Sequence, residues 1–154
     1  MEVFREQPIF IWQKDLVIIF IQNPKTQEKI WEEAMDYGIR QMVYSGQSLE
    51  KGKTYHLFWK EGNITSSPFP FKIIGGDRRK TIEAELQKLE KKADGASAEE
   101  MALLRADYFL KQGLLWDAFN EMLSVEEPSD ELNETLKKIK KEEFCPIKKK
   151  KTEI

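Results

Sequence analysis

Two hydrophobic periodicities divide the chain at Gly75-Gly76. Before the glycines, short apolar runs rich in β-branched and aromatic residues alternate with turn signals, the pattern of a β module. The runs "PIFIW" (8–12), "LVIIFI" (16–21), "KIWEEAM" (29–35), "RQMVYSG" (40–46), "TYHLFWK" (54–60) and "FPFKII" (69–74) predict about six strands, close to what a small sandwich uses. Asn23-Pro24, Tyr37-Gly38 and Gly62-Asn63 supply turns between them. After the glycines the spacing becomes helical. Asp77 is placed to cap a helix whose stripe is Ile82, Leu86, Leu89 and Ala93. Ser97 with Glu100 forms a capping box that opens a second helix through Met101, Leu104 and Tyr108 toward Gly113. A third helix runs from Leu115 through Met122, and Ser129 caps a fourth with Leu132, Leu136 and Ile139 inward.

The expected fold class is α+β with segregated parts: an N-terminal antiparallel Greek-key β-sandwich over 1–75 and an array of about four helices over 77–143, followed by a lysine-rich tail over 144–154. The stretch "LEKGKTY" (49–55) carries a further signal. Leu49 plugs the core, Gly52 is free to take a positive φ, and Tyr55 starts a late strand. That is the arrangement in which a tyrosine hydroxyl returns to backbone a few residues upstream.

One part of the β pattern does not alternate. Positions 17–21 are apolar throughout, and Phe58 falls on the outward parity of its strand, whereas a free-standing sandwich is polar outside. Leaving several such side chains wet would forgo about 2 kcal/mol each, so something is expected to cover them. The helical half, folding back through Gly75-Gly76, is the expected cover. The alternative is a standing apolar patch that receives another protein.

Composition narrows the chemistry. The 154 residues carry a formal charge of −2, so no global basic field draws the chain to nucleic acid. The single cysteine, Cys145, cannot form an internal disulfide, which makes a reduced, cytoplasmic setting the expectation. No export signal is visible at the N-terminus, and the longest apolar run is far too short to span a bilayer. The single histidine, His56, alternates outward beside Tyr55 and Leu57. With no second histidine and no companion for Cys145, neither zinc ligation nor Cys/His catalysis is expected. The pairs Glu32-Glu33, Glu99-Glu100 and Glu126-Glu127 are adjacent residues that point apart rather than converge. "IIGGDRRK" lacks phosphate-loop spacing and reads as a flexible joint.

The strong charge asymmetry is at the C-terminus, where Lys137, Lys138, Lys140 and Lys141 precede Lys148, Lys149, Lys150 and Lys151. Such a cluster attracts phosphates or an anionic lipid surface in a salt-sensitive way, although no aromatic beyond Phe144 is interleaved for base stacking.

Pro8, Phe10, Trp12, Leu49, Gly52, Tyr55, Phe69, Phe71 and Ile73 together resemble a bacterial fibronectin-III or immunoglobulin-like domain. Ala106, Phe109, Ala118 and Met122, with Gly113 at the turn, resemble one tetratricopeptide-like hairpin. The order of sandwich, diglycine and the helices of "ALLRADYFLKQGLLWDAFNEML" is similar to an uncharacterised, mainly cyanobacterial protein family with no established activity, over approximately 8–145. The expectation is a non-catalytic protein-interaction or scaffold module with no cofactor or metal. Phe58 and the four terminal lysines are its candidate contacts. A nucleic-acid or anionic-membrane accessory role through those lysines is the alternative.

Overall fold

Strands form where the apolar runs lie, because pleated backbone lets β-branched and aromatic side chains pack on one face while hydrogen bonds run sideways. The computed structural model describes residues 1–142, with side chains up to Lys138. Its strands are β1 (Glu2–Val3), β2 (Ile9–Ile11), β3 (Ile18–Gln22), β4 (Lys29–Ala34), β5 (Gln41–Val43), β6 (Thr54–Glu61), β7 (Ile64–Thr65) and β8 (Phe69–Ile73). A six-stranded sheet has the order β1-β8-β6-β3-β4 with β7 on β6, and a two-stranded sheet pairs β2 with β5. All pairs are antiparallel except β1 with β8, so the larger sheet is mixed. β1 and β7 are two-residue pieces that hydrophobic patterning does not reveal.

The corner at Leu49 to Tyr55 forms as its residues dictate. Gly52 takes φ +81°, which a side chain would strain. The Glu50 N–H donates to the Tyr55 hydroxyl at 2.9 Å, and Leu49 is buried. The diglycine is closely packed rather than a loose joint. A Cβ added at Gly75 would lie 2.9 Å from the Gly52 nitrogen, and the Gly52 N–H donates to the Ile73 carbonyl at 2.7 Å.

The helices are α1 (Gly76–Lys92), α2 (Ala98–Lys111), α3 (Leu115–Leu123) and α4 (Asp130–Glu142). Helix α1 starts one residue before Asp77, which therefore lies in the first turn and complements the helix dipole instead of capping. The Ser97/Glu100 capping box is present at α2, and the Leu132 N–H donates to the Ser129 hydroxyl at the start of α4. Ala106 and Ala118 are buried between α2 and α3, where their small side chains allow close approach, and Phe109, Phe119 and Met122 fill the seam. Leu132 and Leu136 of α4 join that cluster, while the side chain of Ile139 lies outside the described residues.

The helices do cover part of the sandwich, but not the part expected. They dock on β1 and β2, chiefly through α3. Every residue of β2 is buried: Phe10 turns into the sandwich core, while Ile9 and Ile11 join Ile82, Phe109, Leu114 and Phe119 of the helical cluster. Trp116 of α3, 1 % exposed, enters the sandwich core itself. Its ring meets Phe10 edge-on at 5.2 Å and Phe71 at 5.5 Å, so one helical side chain bridges the two sheets. The expected burial of Phe58 and of the outward parity of 17–21 under the helices is thus corrected. The chain leaves β8 through Ile74, whose N–H donates to the Val3 carbonyl of β1, and α1 then brings Ile82 against Ile9 and Ile11 of β2. Phe58 instead lies against Phe20 and His56.

Candidate functional site

The outer face of the larger sheet is built by strand register. Phe58 of β6 stands opposite Phe20 of β3, which stands opposite Glu32 of β4. One row along, Lys60 is opposite Ile18 and Thr65. On the other side, His56 is opposite Pro70 and Gln22, and Thr54 is opposite Lys72. Because alternate residues share a face, all of these lie on the side away from the core residues Ile19, Ile21, Tyr55, Leu57 and Phe71.

At the centre of this face the Phe20 and Phe58 rings stack, 4.9 Å apart and 8° from parallel. Lys29 closes the other side of Phe20, its ammonium 4.5 Å from the ring centroid, and also pairs with Glu32 at 3.1 Å. His56 approaches Phe58 edge-on at 6.3 Å. Phe20 is consequently buried, whereas Phe58, Ile18 and His56 remain partly exposed and Pro70 is exposed. Outward alternation of His56 and Phe58 was legible in the sequence; the stack and its lysine cap were not, because β3 and β4 contribute them across the sheet.

A second polar assembly sits where strands meet helices. Asp117 of α3 is 1 % exposed. Its carboxylate accepts the N–H of Phe4 at 2.8 Å and of Arg5 at 2.9 Å, satisfying donors just past β1. Burial pushes its pKa from 3.8 up to about 6, against the two backbone N–H groups and the Arg5 charge, which favour the anion. Arg79 of α1 donates to the carbonyls of Phe4 and Ile74 and lies over the Phe4 ring at 4.4 Å. Arg105 of α2 binds both Glu121 and Glu90.

These groups border a cleft of about 350 Å³ between Arg5, Arg79, Arg105 and Glu121. Two of its arginines are engaged: Arg79 with backbone carbonyls and Glu83, and Arg105 with carboxylates. Arg79 ties α1 to the chain just past β1, and Arg105 ties α2 to α1 and α3. Nothing in the local sequence marks Asp117, since its partners are 113 and 112 residues away.

No protein-family model and no curated protein matches the chain.

The pairs Glu32-Glu33 and Glu99-Glu100 point apart as adjacent residues should, whereas Glu126 and Glu127 line the same cleft. Glu32 reaches outward to Lys29, while Glu33 falls on the core-side parity opposite Ile19. Glu99 accepts the Ser129 N–H, whereas Glu100 closes the capping box at Ser97. An open cleft of about 580 Å³ does bring Glu99, Glu121, Glu126 and Glu127 to one border. Among the described residues, no group of three or more His, Cys, Asp or Glu is placed to hold a metal ion. No helix there is long and apolar enough to cross a membrane. Lys148, Lys149, Lys150, Lys151 and Cys145 lie outside the described residues.

Proposed function

We propose that the chain is a non-catalytic protein-interaction or scaffold module whose contact surface is the outer face of the larger sheet. The observation that carries this reading is the Phe20–Phe58 stack, flanked by Ile18, His56 and Pro70 on the face away from the helix docking strands. Aromatic side chains supply contact area at small entropic loss, which is why they anchor interfaces. The sheet order β8-β6-β3 opposite the β2–β5 pair, with the Tyr55 corner at the start of β6, supports an immunoglobulin or fibronectin-III-like architecture. The burial of Ala106 on α2 and Ala118 on α3 in one cluster supports a tetratricopeptide-like hairpin bracing it. A reduced, cytoplasmic setting accords with one cysteine.

Capture from source-cell extract on immobilised full chain tests the reading. The wild type is compared with Phe58→Ser and with Tyr37→Ser, which removes an aromatic side chain exposed elsewhere. A protein held by wild type and Tyr37→Ser but lost from Phe58→Ser is expected. Equal retention by all three, or nothing specific on the wild type, refutes it.

A further inference from the structure

Resting on that reading of the outer sheet face, we infer that its partner is an acidic polypeptide segment carrying an aliphatic or aromatic anchor. The charge on the face is segregated from that of the molecule. The chain as a whole is −2. Yet register places Lys29, Lys60 and Lys72 on this face against Glu2 and Glu32. Both glutamates are already engaged: Glu32 by Lys29 and Glu2 by Arg78 of α1. The pairing that neutralises Glu32 also occupies Lys29, so the surface offered to a partner is an apolar centre, Phe58 with Ile18 and Pro70, rimmed by the ammonium groups of Lys60 and Lys72. Complementary rim charge steers encounter and sets register, and the apolar anchor supplies the affinity.

Two competing occupants fit less well. Single-stranded nucleic acid needs an aromatic ring whose flat side is open for base stacking. Here Phe20 is faced by Phe58 on one side and by the Lys29 ammonium on the other, and Phe58 is faced by Phe20 with His56 at its flank. Basic residues are present, but Phe20 is occupied from within, which leaves Phe58 as the one phenylalanine of this face with a side not met by another ring, short of the run of stacking rings a single strand uses. A strand added to the free edge at β4 meets a different obstacle. Glu33 holds core-side parity on that edge strand, a charged position of the kind that discourages edge pairing. The partner is thus received on the face, not as a further strand.

The test is selection of random displayed peptides on the full wild-type chain. Fluorescence anisotropy then measures the selected peptides against wild type, Phe58→Ser and Lys60→Glu/Lys72→Glu, whose folding is verified by thermal melts. Peptides rich in Asp and Glu around an aromatic or leucine are expected. Charge reversal should weaken them about tenfold, and added salt should weaken them further, as exposed ion pairs do. Selected peptides that need Phe58 but carry no acidic bias overturn the inference and leave the sheet-face reading standing. Peptides indifferent to both variants, or no selected peptide, overturn both. Binding of oligothymidylate that depends on Phe58 and Lys60 would replace the polypeptide by nucleic acid.

Discussion

Neutralising Asp117 should change how stability depends on pH. Its carboxyl has a folded pKa of about 6 against 3.8 when unfolded. The folded chain therefore holds a proton that the unfolded chain releases between those values. The sign follows: the contribution of this group is fully present below about pH 4 and is lost as pH rises through about 6. The gap between the folded and unfolded values corresponds to about 3 kcal/mol, an order-of-magnitude value for a carboxylate removed from water. Asp117→Asn keeps the shape, accepts one N–H through its amide oxygen and carries no charge, so its stability should lack this slope. Asp117→Ala leaves the N–H groups of Phe4 and Arg5 without their acceptor and should cost about 2–4 kcal/mol at pH 5. Urea unfolding followed by tryptophan fluorescence at several pH values between 4 and 7.5 measures all three proteins. Other carboxylates act against this trend: the hydrogen bond from Arg40, with that from the Gly38 N–H, holds Asp15 below its usual range. Because they are common to wild type and Asp117→Asn, the difference between those two curves isolates Asp117. It should change by about 2–3 kcal/mol in favour of the asparagine variant as pH rises from 4 to 7. A difference that stays constant across that range would refute the reasoning about burial.

Trp116→Ala removes the ring that bridges both sheets from α3, and it should cost about 3–5 kcal/mol while lowering the far-UV and near-UV melting transitions together. Loss of helix signal without loss of sandwich signal would show that the layers are not one cooperative unit. Tyr55→Phe leaves the Glu50 N–H without its acceptor and should cost about 1–2 kcal/mol by urea titration; an unchanged midpoint would mean water replaces the hydroxyl. Gly75→Ala forces a Cβ against Gly52 backbone, whereas Gly52→Ala meets only the strain of its positive φ. The first should therefore melt at a lower temperature than the second, and the reverse order would contradict the close approach.

What the sequence determined by itself was local. Period-two runs and turn residues set six of the strands. The Ser97/Glu100 capping box and the apolar stripe of Ile82 and Leu86 set helices, because propensity and capping act within a few residues. The Leu49, Gly52 and Tyr55 corner was also legible, since its hydrogen bond closes over five residues. Apolar runs showed that surfaces needed cover, but they could not say which cover went where. Only the tertiary structure placed the helices on Ile9 and Ile11, sent Trp116 between the sheets and left Phe58 to Phe20 and His56. It also made strands of residues 2–3 and 64–65, which are too short to show a period and exist because a neighbouring strand pairs with them. Asp117 shows the distinction most directly. A carboxylate on a helix reads as solvated until the chain end more than a hundred residues away brings it two amide donors, and hydrophobic burial is non-directional, so only packing decides which surfaces meet.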